Sequence, residues 1–180
     1  MKFDHGTRVR GLAALVPGAD GRAYLAASPA IAALYLWEFD RNPCKWMGYR
    51  VLNGRVTYIE YFSGALEQFY GGASGYLYSC EGNFPLDDKR GLAAGVAEEV
   101  PLDGCEEIPD VFCFLLALER AGEMDIRRYD ILTDADHAYI RKTVGRLIAN
   151  LDLKNHPENP YRAFVRDRFP DVWAQSTSFR

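Results

Sequence analysis

A chain of 180 residues is long enough to form one domain with its own hydrophobic core. Apolar residues make up 48% of it and charged residues 26%, a balance that is typical of globular proteins and excludes an intrinsically disordered chain. The formal net charge of −4 lacks the basic excess of a non-specific nucleic-acid binder, so a nucleic acid is not expected as the partner.

The sequence gives no sign of a targeting segment or a metal site. Residues 1–11 contain no apolar run like that of a secretory signal, and no stretch approaches the ~20 apolar residues of a membrane span. We therefore expect a cytoplasmic protein without a membrane partner. The four cysteines form no C-x-x-C pair and only three histidines accompany them, so we expect reduced, mostly buried thiols and no bound metal.

The first half of the chain is predicted to form short strands and small helices. We expect strands at residues 2–4 and 22–26, the first ended by His5-Gly6, with a turn-rich loop at 17–21 between them. Ser28-Pro29 is a typical helix start, because serine caps the amide groups of the first turn and proline is tolerated at the first helical position. That helix is expected to begin at Pro29 and to continue over residues 30–37.

A hairpin is predicted at residues 48–62, because Asn53-Gly54 is the favoured pair for a type I′ turn between two apolar strands. Ser63 is expected to cap a short helix that ends at residue 70. Further strands are predicted at residues 75–80 and 95–102, and Pro101 places the latter at a sheet edge or a strand end.

Helical periodicity dominates after Pro109. Helices are predicted over residues 110–121 and 133–151 and from Asn159-Pro160 onward, with a short strand at 125–129 between the first two. The expected class is α+β: curved, largely antiparallel sheets with small helices, followed by a C-terminal helical region. We expect a β-rich core at residues 1–108 and a helical extension at 109–180 packed on it as one compact domain.

Two motifs in the first half contain residue types that can bind a ligand. In His5-Gly6-Thr7-Arg8, the imidazole can hydrogen-bond a ligand hydroxyl, and glycine allows a ligand to approach the backbone. In the second motif, Tyr24 and Tyr35 lie eleven residues apart, with Ser28 and small residues between them. Two such rings can hold the cationic nicotinamide ring by stacking and cation–π attraction. The alternative is that both tyrosines are ordinary core residues.

Together these motifs resemble the signature of the ADP-ribosyltransferase superfamily, in the branch with a His-Tyr-acid pattern. That branch includes poly(ADP-ribose) polymerases, diphtheria-type toxins and rifampin ADP-ribosyltransferases, and the resemblance covers about residues 1–108. It implies that His5 contacts a ribose, that the Gly6 backbone contacts the carboxamide, and that two tyrosines clamp nicotinamide. The NAD-binding residues implied by the resemblance are His5, Gly6, Thr7, Arg8, Tyr24, Ser28 and Tyr35.

The resemblance also implies an acid, which holds a ribose hydroxyl and stabilises the positive charge that develops as nicotinamide leaves. Glu81 is preferred because it ends a predicted strand, and Asp88 is next because it falls where the loop acid of the rifampin-modifying enzymes would be. For either of them, a solvated surface carboxylate is the alternative. The other candidates are Glu60, Asp87, Glu98 and Glu99.

The implied function is transfer of ADP-ribose from NAD, the substrate, to an unidentified protein or small-molecule acceptor. Two alternatives stay open. One is a degenerate, non-catalytic member of the fold that binds a nucleotide or a protein. The other is an interaction domain without a nucleotide, in which His5 and both tyrosines belong to the core.

Overall fold

The structure is a computed structural model that describes residues 1–37, 48–86, 91–96 and 98–176, with the backbone alone at 93–95. Its strands are β1 (Lys2–Thr7), β2 (Ala14–Leu15), β3 (Ala23–Ala26), β4 (Tyr49–Leu52), β5 (Arg55–Ile59), β6 (Gly75–Glu81), β7 (Leu92–Val96), β8 (Val100–Pro101), β9 (Gly104–Ile108) and β10 (Met124–Arg127). Its α-helices are α1 (Pro29–Leu34), α2 (Ala65–Tyr70), α3 (Val111–Ala121), α4 (Asp134–Asn150), α5 (Pro160–Arg168) and α6 (Pro170–Gln175), and a 3₁₀ turn lies at Tyr129–Ile131.

Antiparallel pairing dominates the sheets, which confirms the predicted α+β class. The largest sheet has five antiparallel strands in the order β7-β3-β1-β6-β9. A three-stranded sheet has the order β10-β5-β4, with β10 parallel to β5, and β2 pairs with β8 in a small separate ribbon.

Side chains of β1 alternate between two cores, as the period of a strand requires. Phe3 packs into a small core with Leu15, Leu25 and Val100 on one face of the five-stranded sheet. On the other face, α1, α2 and α3 build the larger core, and α4 and α5 also contribute buried residues to it. Asp4 and Gly6 therefore lie on the face of the sheet that the helices cover.

The second half of the chain is joined to the first by a strand as well as by helices. The predicted strand near residues 125–129 is present as β10, and it pairs with β5 from Met124↔Val56 to Arg127↔Ile59. The sheet of the first half is therefore completed by the second. Among the described helices, none combines the length and the apolarity that crossing a bilayer requires.

Several turns and helix starts lie where short sequence motifs predicted them. Asn53 and Gly54 have φ angles of 51° and 76°, as the type I′ turn requires, and the hairpin is confirmed. Ser28 caps α1, where its Oγ accepts a hydrogen bond from the Ile31 amide at 3.3 Å. At α4, Thr133 and Asp136 form a reciprocal capping box.

Other expectations were wrong. β1 continues through Thr7, because six residues of β6 pair with it, so His5-Gly6 lies inside the strand. The predicted strand at 95–102 is two short strands, β7 and β8, and β9 was missed. Helix α2 begins after Gly64, and the Ser63 hydroxyl instead donates to Asp130 at 3.2 Å. Of the described cysteines, Cys80 is buried, while the thiols at 105 and 113 are exposed.

Candidate functional site

A cleft of about 540 Å³ is lined by residues of β1, β3 and α1 and by those that follow α1. Strands β1 and β3 align at the pair Asp4↔Ala26, and the register of β3 with its other neighbour shifts between Ala23 and Leu25. Four of the predicted ligand-binding residues line the cleft, although they come from three elements: His5, Gly6, Tyr24 and Tyr35. The volume is within the ordinary range of small-molecule sites.

Gly6 brings α1 against β1. A Cβ atom at this position would lie 2.0 Å from the carbonyl oxygen of Ala32, which is less than any real contact allows. Only glycine therefore permits the helix to pack at this distance. The close approach carries Tyr35, the residue that ends α1, to the same cleft as His5 on the strand.

His5 is held by a hydrogen bond of 2.9 Å between its Nδ1 atom and the backbone carbonyl of Tyr24. Because a carbonyl oxygen only accepts, Nδ1 carries the proton and donates it, which leaves Nε2 of the neutral ring as an acceptor. Burial lowers the pKa of His5 from 6.5, and the bond to Tyr24 opposes this shift more weakly. The ring is therefore mostly neutral at pH 7 and presents an acceptor suited to a hydroxyl donor.

Tyr24 lies at the mouth of the cleft with 44% of its surface exposed. Its hydroxyl donates to Asp20 Oδ2 at 2.5 Å, and the Arg22 amide donates to Asp20 Oδ1 at 3.2 Å. This bond to the carboxylate raises the pKa of the tyrosine and lowers the pKa of Asp20. The phenol is thus held by its oxygen while its ring stays available to a ligand.

Tyr35 is 37% exposed, and two other aromatic rings orient it. Its ring centroid lies 5.6 Å from that of Trp37 and 6.3 Å from that of Tyr49, and the two tyrosine hydroxyl oxygens are 3.3 Å apart. The contact with Trp37 is tilted and the contact with Tyr49 is edge-to-face, and together they orient the ring of Tyr35. Because Tyr24 and Tyr35 are exposed in a cleft, the interpretation of both as core residues is wrong.

Thr7, Arg8 and Ser28, which the resemblance placed with the NAD-binding residues, are not among the described residues that line the cleft. The Thr7 hydroxyl oxygen accepts from the Val9 amide at 3.2 Å, and Ser28 caps α1. Arg8 has an exposed side chain beyond the end of β1. The hydroxyl groups of Thr7 and Ser28 therefore each bind a nearby backbone amide.

Of the two preferred acids, Glu81 lies within the described residues and Asp88 does not. Glu81 is exposed at the end of β6, where it pairs with Lys2, whereas His5 pairs with Tyr78. Three residues along a strand span roughly 10 Å, so the Glu81 backbone lies well away from the histidine. Glu81 does not line the cleft within the described part of the chain. Asp88 lies outside the described residues, as does Asp87.

The remaining candidate acids do not line the cleft either, as far as the described residues show. Glu60 is buried and structural, because its two oxygens accept from the amides of Leu66 at 3.1 Å and Tyr129 at 3.2 Å. Glu98 and Glu99 are exposed beside β8. No group of three metal-ligating side chains occurs in the described ranges.

Sequence reasoning missed two acidic residues that line the cleft, Asp4 and Asp20, as well as Trp37. Asp20 could have been proposed from the sequence, because it lies four residues before Tyr24 in a turn that leads into the strand. The sequence points to Asp4 less clearly, because its only link to the motif is that it directly precedes His5. Its burial depends on how α1 packs, which no local pattern reveals.

No protein-family model matches this chain at a significant level, and neither does any curated protein or solved structure.

Proposed function

We propose that the cleft binds the nicotinamide end of NAD and that the protein is an ADP-ribosyltransferase-like, NAD-binding protein. The observation that carries this proposal is the convergence of His5, Gly6, Tyr24 and Tyr35 in one cleft. These residues span thirty positions of the sequence, and the resemblance assigned all four to the same ligand. A core packing of the tyrosines would have removed this support.

The chemistry of the cleft suits a flat cationic ring that is joined to a sugar. The exposed faces of Tyr24 and Tyr35 can stack on a pyridinium ring, with dispersion and cation–π attraction together worth roughly 1–2 kcal/mol for each ring. The Nε2 atom of His5 can accept a hydrogen bond from a ribose hydroxyl. Nicotinamide and its ribose offer both groups side by side.

Transfer is the proposed activity, with an acceptor that stays unidentified. The bond between C1′ of the ribose and the nicotinamide nitrogen breaks, and the bonding electrons leave with nicotinamide. The acceptor attacks C1′ and releases its proton to solvent. In this proposal the cleft holds the leaving group and the ribose in place. A carboxylate would stabilise the cationic sugar, and Glu81 and Asp88 remain the candidates that the resemblance implies.

A second candidate function is NAD binding without transfer, in a degenerate member of the fold. The position of Glu81 favours it, since that carboxylate is exposed at the far end of β6 and does not line the cleft. A module of this kind would keep His5 and the tyrosines but would lack the charge that drives cleavage.

The experiment combines calorimetry with NAD⁺ and an assay for nicotinamide release by the purified protein. We expect Tyr35→Ala to weaken NAD⁺ binding about 10-fold, because one stacking face is lost. The matched control is Tyr139→Ala, which removes a tyrosine of similar exposure, 39%, on helix α4 outside the cleft. His5→Asn keeps a donor for the Tyr24 carbonyl but removes the Nε2 acceptor, so it should weaken binding while the fold is retained.

The outcomes separate the candidates. Binding with nicotinamide release that Glu81→Gln abolishes supports transfer with Glu81 as the acid. Release that persists in Glu81→Gln moves the acid elsewhere, and binding without release supports the non-catalytic module. An absence of NAD⁺ binding by the wild-type protein refutes both functions.

A further inference from the structure

A second cavity, of about 380 Å³, lies between the five-stranded sheet and the helices that cover it. Residues of β1, β6 and β9 line it on the sheet side, and residues of α1 and α3 line it on the helix side. Within the described lining, Asp4 is the one residue that this second cavity shares with the cleft of His5. Its volume is within the range of small-molecule sites.

Four of the residues that line the second cavity are apolar. Phe114 and Leu118 lie four residues apart on α3 and therefore share one face of that helix. Leu77 of β6 and Pro29, the first residue of α1, also line the cavity. Leu77 and Leu118 are buried, whereas Phe114 is partly exposed, so the apolar lining extends from the core toward the surface. Such a lining can contact the hydrocarbon part of a ligand.

The charged residues of the second cavity carry a net negative charge. Asp4 and Glu106 are acidic, and Lys2 is the one basic residue of the described lining. Glu106 is exposed, and it lies opposite Leu77 in the register of β9 with β6. Burial raises the pKa of Asp4, Lys2 opposes this rise, and the charge of Glu106 adds to it. The two carboxylates are therefore within electrostatic range of each other and can act on the same cation.

Asp4 is only 5% exposed, and its charge is poorly compensated. Glu60, the other buried carboxylate among the described residues, accepts hydrogen bonds from two backbone amides. Asp4 has instead an ion pair with Lys2, whose side chain is 66% exposed, at 3.7 Å between Oδ1 and Nζ. That distance exceeds the roughly 2.7–2.9 Å of a charge-assisted hydrogen bond. Because Lys2 lines the second cavity, the ion pair places the Asp4 carboxylate on that side.

Ser79 adds a hydroxyl group beside Asp4. It is the direct partner of Asp4 in the register of β1 with β6, and it also lines the second cavity. The Cβ atoms of such pairs lie about 4.5–5.5 Å apart. On its other side Ser79 pairs with Gly104 of β9, where a Cβ atom would lie 2.8 Å from the Ser79 Oγ atom. Glycine therefore leaves this hydroxyl group unobstructed, and its oxygen can accept from a ligand that also reaches Asp4.

We infer that the second cavity is a binding site for an organic ammonium ion with an apolar body. The Asp4 carboxylate accepts a hydrogen bond from the ammonium group, the Ser79 hydroxyl accepts another, and Glu106 attracts the positive charge. The apolar lining contacts the hydrocarbon part. An anion would fit less well, because two carboxylates would repel it and Lys2 alone would attract it. The site is separate from the cleft proposed to bind nicotinamide, so neither proposal depends on the other.

The test compares cyclohexylmethylamine, which is a cation at neutral pH, with cyclohexylmethanol, which has nearly the same shape and no charge. Titrations of the ¹⁵N-labelled protein, followed in amide NMR spectra, give both dissociation constants. Asp4→Asn and Glu106→Gln each remove a carboxylate charge and keep the shape of the side chain. Glu107→Gln is the matched control, because it removes a neighbouring exposed carboxylate of β9 that is not in the described lining. Tyr35→Ala alters the cleft alone.

We expect the wild type to bind the amine about 10-fold more tightly than the alcohol, with the largest amide shifts at Ser79 and Glu106. Asp4→Asn should weaken amine binding about 10-fold, because the ammonium group loses its buried charged acceptor. Glu106→Gln should weaken it about 2- to 5-fold, as expected for an exposed charge. Neither variant should change the affinity for the alcohol, and the control and Tyr35→Ala should change neither constant.

Equal affinities of the wild type for the amine and the alcohol would overturn the inference. So would amine binding that Asp4→Asn and Glu106→Gln both leave unchanged, or that Tyr35→Ala weakens, since the last result would assign the amine to the cleft. Because Glu106 is exposed, its variant tests the inference even if Asp4→Asn does not fold. The test contains no NAD⁺, so its failure leaves the proposed function standing.

Discussion

The contact between Gly6 and α1 is the structural basis of the cleft, and Gly6→Ala tests it. A Cβ atom at residue 6 would lie 2.0 Å from the Ala32 carbonyl oxygen, and ordinary contacts begin near 3.4 Å. The obstacle is helix backbone, so α1 itself must move by roughly 1 Å or more. Overpacking of this kind costs about 3 kcal/mol.

The expected loss is measurable by thermal unfolding. For a chain of this length each kcal/mol shifts the midpoint by about 2–4 °C, so Gly6→Ala should unfold about 6–12 °C below the wild type. NAD⁺ binding should weaken at the same time, because displacement of α1 separates Tyr35 from His5.

A second glycine provides the control with the opposite sign. A Cβ atom at Gly145, inside α4, would lie 3.9 Å from the Val172 Cγ1 atom, which is an ordinary contact. Alanine is favoured over glycine in a helix interior by about 1 kcal/mol, so Gly145→Ala should raise the midpoint by about 2–4 °C. Equal midpoints for Gly6→Ala and the wild type would refute the close packing of α1 on β1.

Two further predictions concern charge and stability. Burial lowers the pKa of His5 below 6.5, its value in the unfolded chain, so the unfolded state takes up the proton first and His5 costs stability as pH falls below 6.5. Urea unfolding at pH 7.5 and 5.5 should show a smaller loss for His5→Asn than for the wild type, and an equal loss would contradict a buried neutral ring. Asp136→Asn should cost about 1–3 kcal/mol, because it weakens the capping box and a two-bond contact with Arg127. The control is the exposed Asp167, which pairs with Arg166, and Asp167→Asn should cost under about 0.5 kcal/mol. Equal losses of unfolding free energy in the two variants would contradict the stabilising role of Asp136 at the start of α4.

The elements that the sequence predicted well are those with local causes. The Asn53-Gly54 turn, the Ser28 cap and the capping box of α4 each depend on a few neighbouring residues. Strand β9 was missed because its sequence, Gly-Cys-Glu-Glu-Ile, has no apolar alternation, and its state depends on pairing with β6 from Gly75↔Ile108 onward. Such pairing joins residues far apart in the chain.

The site was predictable only in part, for the same reason. His5, Tyr24 and Tyr35 were named from two short motifs and from the family resemblance that these motifs carry, and they line one cleft. The register of β6 on β1 decides where Glu81 lies, and a strand end read from sequence alone does not fix that register. Asp4 lines the cleft at the point where β1 pairs with β3, opposite Ala26, which is a consequence of strand pairing.

The most direct test of the account is a titration of the ¹⁵N-labelled protein with NAD⁺, followed residue by residue in amide NMR spectra. We expect the largest shifts at His5, Gly6, Tyr24 and Tyr35, which line one cleft, and small shifts at Glu107 on the distant edge strand β9. Unchanged spectra at saturating NAD⁺, or shifts that spare all four cleft residues, would contradict the proposal that this cleft binds the nicotinamide end of the dinucleotide.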